Sequence, residues 1–196
     1  LEPITMAKKD AAGNVLPPNE QDSQVDAVIA GKFDQWYRDY FTAVKKRADR
    51  DDNIYYIRFA SEMNGPWTSW SGYKNGEAAG VEKYKQMWIR VYRIARESQI
   101  DPYKTRIKFV WSPVPINYAG PWNELDKYYP GDQYVEWVGL SVYGGYKEVS
   151  AKDQITPFYQ KYSSTQGKGK PMMISEAGAD WKGGIYHPAQ NGQPAR

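Results

Sequence analysis

The 196-residue sequence has no cysteine and a single histidine, His187. The first absence excludes disulfide scaffolds and thiolate zinc sites. The second excludes a multi-histidine metal centre and the histidine-based machinery of serine and cysteine hydrolases, so acid–base chemistry falls to carboxylates. No apolar run approaches the roughly 18 residues that cross a membrane. The net charge is only +3 and forms no basic block, which disfavours a nucleic-acid partner. No strand is followed by a glycine-rich phosphate loop, which disfavours a nucleotide-binding sheet. Repeats, linkers and low-complexity segments are also absent.

Aromatic residues are abundant: eight Trp and 17 Tyr help bring them to 15%. Such an excess serves a large core, and it also suits stacking on sugar rings or bases. The length suffices for one domain. The apolar pattern alternates strand and helix. Strands are predicted at 54–60, 107–111, 134–143 and 171–175, with Leu1–Thr5 read as the tail of another. Helices are predicted at 34–50, with Asp34 as its N-cap, at 76–98 and at 155–164. The strands are nearly continuous in apolar residues, as parallel strands covered on both faces are. The strand ends at Pro3, Glu62, Ser112, Tyr143 and Glu176 are rich in functional groups, as in a (β/α)8 barrel or an open doubly wound sheet.

The stretch from Ile54 to Trp70, IYYIRFASEMNGPWTSW, is the centre of the functional reading. It is a buried strand that ends in a carboxylate, Glu62, then a tight Asn64-Gly65-Pro66 turn, then Trp67 and Trp70. Glu176 ends another strand. Hydrolysis of a glycosidic bond needs two such groups: an acid for the leaving oxygen, and a carboxylate that attacks or activates water. Strand alternation puts Arg58 on the face of Glu62, where its charge holds a neighbouring carboxylate ionised. The bland alternative for Arg58 is a structural ion pair with Glu2.

Several segments carry a resemblance. RFASEMNGPW at 58–67, WSP at 111–113, YYPGDQYVEWVG at 128–139 and PMMISEAG at 171–178 resemble, in order and spacing, segments of glycoside hydrolase family 26. Leu1-Glu2-Pro3 is similar to a strand end of that family. The resemblance implies a (β/α)8 barrel without cofactor or metal. It implies Glu62 as general acid/base and Glu176 as nucleophile. Trp67 matches a tryptophan that lines the family's sugar subsites, and Tyr143 a tyrosine near its nucleophile. By position and residue type, Arg58, Ser61, Asn64, Trp70, Trp111 and Trp181 complete the expected substrate contacts. Two departures stand out. Ser61 replaces the histidine that usually precedes the acid/base, which unsettles the family's usual mannan preference. A full barrel takes about 250 residues, so the five strands here match strands three to seven. Residues 1–196 are then one partial catalytic domain, completed by further polypeptide.

The expected function is therefore a retaining, endo-acting hydrolase of a β-linked polysaccharide, with β-1,4-mannan ahead of mixed-linkage glucan and β-1,3-xylan. Its partner is the polysaccharide, with no nucleic acid and no membrane, and such a substrate implies an extracellular setting. A catalytically silent carbohydrate-binding protein on the same scaffold is the alternative from another class.

Overall fold

The computed structural model describes residues 11–12, 24–144 and 149–179. The chain alternates helix and strand: α1 (Val25–Ile29), α2 (Asp34–Arg50), β1 (Tyr55–Ile57), α3 (Ala78–Ala95), β2 (Ile107–Trp111), α4 (Leu125–Tyr128), β3 (Trp137–Gly144), α5 (Ala151–Phe158) and β4 (Met172–Ala179). A π-helical turn, Tyr159–Ser163, continues α5. All strand pairings are parallel and the spatial order is β1-β2-β3-β4. The result is a curled half-barrel with its helices packed on the convex side. The strand expected at Leu1–Thr5, together with Trp181 and His187, lies outside the described residues.

The core forms where the outer face of the sheet meets the helices. Phe59, Phe109, Trp111 and Leu140 pack there against Tyr37 and Phe41 of α2, Tyr84 and Trp88 of α3, and Phe158 of α5. Phe109 is central: Trp88 and Tyr92 meet it edge-on and Phe41 lies tilted against it. Such aromatic contacts add about 0.5–1.5 kcal/mol each beyond area burial. The apolar spacing of α2 and α3 thus does what its helical period predicts. Trp36 is an exception, 42% exposed and stacked on Tyr40 outside the core.

Asp34 is not the N-cap of α2. Phe33 occupies that position, and Asp34 accepts two 2.7 Å hydrogen bonds from the Arg90 guanidinium of α3. A tertiary partner has displaced the local role that the sequence suggested. The short helices α1 and α4 were not foreseen, since four or five residues carry too little periodicity to register.

At the N-terminal end of the sheet, Arg96 donates to the Ile107 carbonyl and to Glu136. Asp101, almost fully buried, accepts from the N–H groups of Thr105, Arg106 and Ile107. Burial alone would raise the Asp101 pKa, but these donors, the Ile107 N–H foremost, hold it below the usual carboxylate range. The cluster fixes where β2 and β3 begin, and therefore the register of the opposite, functional end.

Gly80 shows how closely α3 is packed. A Cβ there would lie 2.9 Å from the Asn75 Cβ and from the Gly72 Cα and O. Alanine favours an isolated helix over glycine by about 1 kcal/mol. Gly80→Ala should nevertheless destabilise the protein by about 1–3 kcal/mol through overpacking, read as a lower midpoint in denaturant. An increase in stability would show that the 72–75 segment yields freely.

Candidate active site

The functional side chains meet at the C-terminal ends of the strands, around Arg58. Arg58 follows β1 directly, and its Nη1 donates to Glu176 Oε2 at 2.6 Å. Nη2 donates to Ser141 Oγ on β3 at 3.0 Å, and Nε to Ser112 Oγ beyond β2 at 3.2 Å. Nη2 also lies 3.6 Å from Glu62 Oε1. One guanidinium thus touches groups on, or just beyond, all four described strands, including both carboxylates.

Strand alternation does not deliver Glu62 to this point. The ladder of β1 ends at Ile57, and Ala60 and Glu62 adopt left-handed backbone with φ 43° and 57°. Such conformations cost a non-glycine residue of order 1–3 kcal/mol and persist only where surroundings over-determine them. Here they are over-determined. The Glu62 N–H donates to the Ser112 carbonyl at 2.8 Å, and the Trp70 indole donates to the Ser61 carbonyl at 2.7 Å. The Asn64 side chain pairs with both backbone groups of Val114. The Asn64 carbonyl accepts from Asn123, whose Oδ1 accepts from the Tyr128 hydroxyl, which in turn accepts from the Gly72 N–H. This buried relay staples the Glu62 loop to the loop after β2.

Glu176 is positioned by an irregularity in β4. Leu140 pairs with Ile174, but the next residue, Ser141, pairs with Glu176, so Ser175 is an extra residue. A one-residue shift moves a side chain to the other face of a sheet. The bulge turns Glu176 inward beside Ser141, while Ser175 reaches Ser112 Oγ at 2.5 Å. Glu176 therefore lies within β4 rather than at its end.

The two carboxylates have different surroundings. Glu176 accepts a short hydrogen bond from the Tyr143 hydroxyl as well as the bond from Arg58. The Tyr143 bond first, then the bond and charge of Arg58, hold Glu176 below the usual carboxylate range against the opposing effect of burial. The same bond, with desolvation and the Glu176 charge, pushes the Tyr143 phenol up to about 12. Glu62 accepts from the Trp67 indole at 2.7 Å. Trp67 is 51% exposed and meets Tyr118 edge-on, at 5.2 Å between ring centroids. Beside them opens a cleft of about 270 Å³, lined by Glu62, Trp67, Val114, Ile116, Tyr118 and Tyr143 together with Ser141 and Gln154.

Of the residues expected at the site, Glu62, Glu176, Arg58, Trp67 and Tyr143 come together. Ser61 is adjacent and half-buried. Three expected substrate contacts are corrected. Trp111 is fully buried, stacked on Phe158 and edge-on to Tyr129, because it points to the outer face of β2. Trp70 is only 6% exposed and its indole N–H is committed to Ser61. Asn64 is wholly buried in the relay described above. Trp181 lies outside the described residues. Tyr118, Ser141 and Gln154 were missed. Ser141 had a signal, as a lone hydroxyl within the apolar run VGLSV. Tyr118 had none, since only the path of its loop brings it to Trp67.

The sequence profile of glycosyl hydrolase family 26 matches residues 23–194. Over 92 residues, 47% of this chain and 17% of the relative, the chain is 35% identical to the β-1,3-xylanase TXYA of a Vibrio species. It is 34% identical to a β-1,3-xylanase of an Alcaligenes species over the same length. In fold it is similar to the catalytic domain of an endo-β-1,4-mannanase from Bacillus sp. JAMB-750, with a TM-score of 0.62 at 19% identity. That likeness covers 87% of this chain and 46% of that one. The match takes in under a fifth of the length of these xylanases and under half of that mannanase domain.

Tyr143→Phe removes the leading cause of the Glu176 shift. The Glu176 midpoint should then move up towards that of an ordinary glutamate, so that ionisation is lost at a higher pH than in the parent. Carboxyl-carbon NMR, assigned by comparison with Glu176→Gln, measures it, and an unchanged midpoint would count against the hydrogen bond.

Proposed function

The chain belongs to glycosyl hydrolase family 26, and from that premise we propose that it is a retaining, endo-acting hydrolase of a β-linked polysaccharide, working by double displacement. The single observation that carries the reading is the meeting of Glu62 and Glu176 on Arg58 beside an open cleft. Glu176 attacks the anomeric carbon as the glycosidic C–O bond breaks, and Glu62 gives its proton to the departing oxygen. Glu62 then takes a proton from water, which attacks the same carbon and releases Glu176 from the glycosyl ester. The roles are assigned by surroundings. Glu176, with a phenol and a guanidinium donating to it, is kept anionic and therefore nucleophilic, and environments that differ in this way separate acid from nucleophile in paired-carboxylate sites.

The four described strands are read as strands four to seven of an eight-stranded (β/α) barrel. Placement of the reacting groups at the C-terminal strand ends fits that assignment. Two observations favour β-1,3-xylan over β-1,4-mannan. One is that the two relatives above 30% identity are β-1,3-xylanases. The other is Ser61, too short to make the substrate bond that a histidine makes from that position. An extracellular setting is part of this proposal, and its support is the polymeric nature of such a substrate.

Glu62→Gln should lower kcat/KM on polysaccharide by roughly 10²–10⁴-fold. It should spare the first step on an aryl glycoside whose leaving group needs no proton. Glu176→Gln should abolish both reactions. Incubation with β-1,3-xylan, β-1,4-mannan and mixed-linkage glucan, followed by reducing-end assay and NMR of the first-formed anomer, tests the rest. Inverted product would refute double displacement, and binding without new reducing ends would leave a silent carbohydrate-binding protein.

A further inference from the structure

Gln154 stands out among the residues that the proposed chemistry does not use. It belongs to α5 yet is only 5% exposed, and it lines the same cleft as Glu62 and Tyr143. Its Nε2 donates to the Tyr143 carbonyl at 2.9 Å and to the Val149 carbonyl at 3.0 Å. Both partners are acceptors, so the amide orientation is unambiguous and both of its N–H bonds are used. Helix α5 is itself fixed at this end, because Ser150 Oγ accepts from the Asp153 N–H.

Tyr143 needs such a clamp. The residue is 40% exposed, so burial alone does not fix its side chain. It lies against Gly178 of β4, where a Cβ would come within 2.6 Å of the ring. Gly178 sets how near the ring approaches β4, but a flat glycine does not set where along the strand the phenol points. That depends on the Tyr143 backbone, at the end of β3, which Gln154 grips.

We propose that Gln154 is a positioning residue for the carboxylate pair: through the Tyr143 backbone it aims the phenol whose O–H bonds Glu176. The inference rests on the hydrolase reading for its kinetic part and on geometry alone for the rest. Among the described residues, the charged and titratable groups that face Glu176 are Arg58, which follows β1, Tyr143 from β3, and Glu62 across the shared guanidinium, and the end of β2 brings the neutral Ser112. A loosened Tyr143 leaves Arg58 in place, so the effect of Gln154 is a fraction of the effect of losing the phenol itself.

The test compares the parent protein, Gln154→Leu, Tyr143→Phe and the double variant. In Gln154→Leu the Glu176 midpoint, followed by carboxyl-carbon NMR, should rise by part of the Tyr143→Phe shift. On the glycan that the parent cleaves, kcat should fall about tenfold while KM changes by less than roughly twofold, as misplacement of a catalytic group does. The double variant should match Tyr143→Phe, since two residues acting through one contact are not additive. An unmoved midpoint in Gln154→Leu would overturn the proposal, and so would a full additional loss in the Tyr143→Phe background. Should the leucine variant not fold, Gln154→Asn retains the amide but shortens it, and the same NMR criterion decides. If the parent cleaves no glycan, the hydrolase reading fails, while the NMR comparison still decides the role of Gln154.

Discussion

The structure depends on how one guanidinium is satisfied. Arg58 sits partly buried on the inner side of the sheet, where an unpaired charge is costly. Its N–H groups are matched by Ser112, Ser141 and Glu176, with Glu62 within ion-pair range. Each partner comes from a different strand end or the loop beyond it. Removing one would leave charge and donors without partners, so the constraint couples the four strands at the end where the chemistry is read. The same contacts bring two carboxylates of like charge together, which they would otherwise resist.

Local backbone geometry serves that convergence at an energetic cost. Two non-glycine residues with positive φ aim Glu62, and an extra residue in β4 aims Glu176. Neither feature stabilises the fold by itself. They are held by neighbouring elements: the Asn64–Asn123–Tyr128 relay on one side, and the pairing of β3 with β4 on the other. The apolar core carries no part of the site, because it lies on the convex face between sheet and helices. This division explains why Trp111 and Trp70, aromatic and adjacent to functional segments, are framework rather than sugar platforms.

The aromatic surface that does face the cleft is small and defined: Trp67, its edge-on neighbour Tyr118, and Tyr143. Trp67 has two roles, since its indole N–H bonds Glu62 while much of its ring stays open. A group stacked there would be tied, through this one side chain, to the orientation of Glu62.

The amino-acid sequence by itself determined the order of the four strands and the longer helices, the helical stripe of α3, the extent of α2 and β2, and the identity of Glu62, Glu176 and Arg58 as the groups to watch. Those properties are local: apolar period, strand-forming runs, and charged residues misplaced in apolar context. It did not determine which aromatic faces open space, since Trp67, Trp70 and Trp111 look alike in sequence and differ only in the neighbours that cover them. Nor did it show that Asp34 serves Arg90 instead of capping its own helix, or that Glu176 reaches the inner face only through the extra residue at Ser175. Those outcomes were decided by tertiary structure, because side-chain burial, ion pairing and strand register are set by contacts between segments far apart in the chain, and no local pattern encodes them.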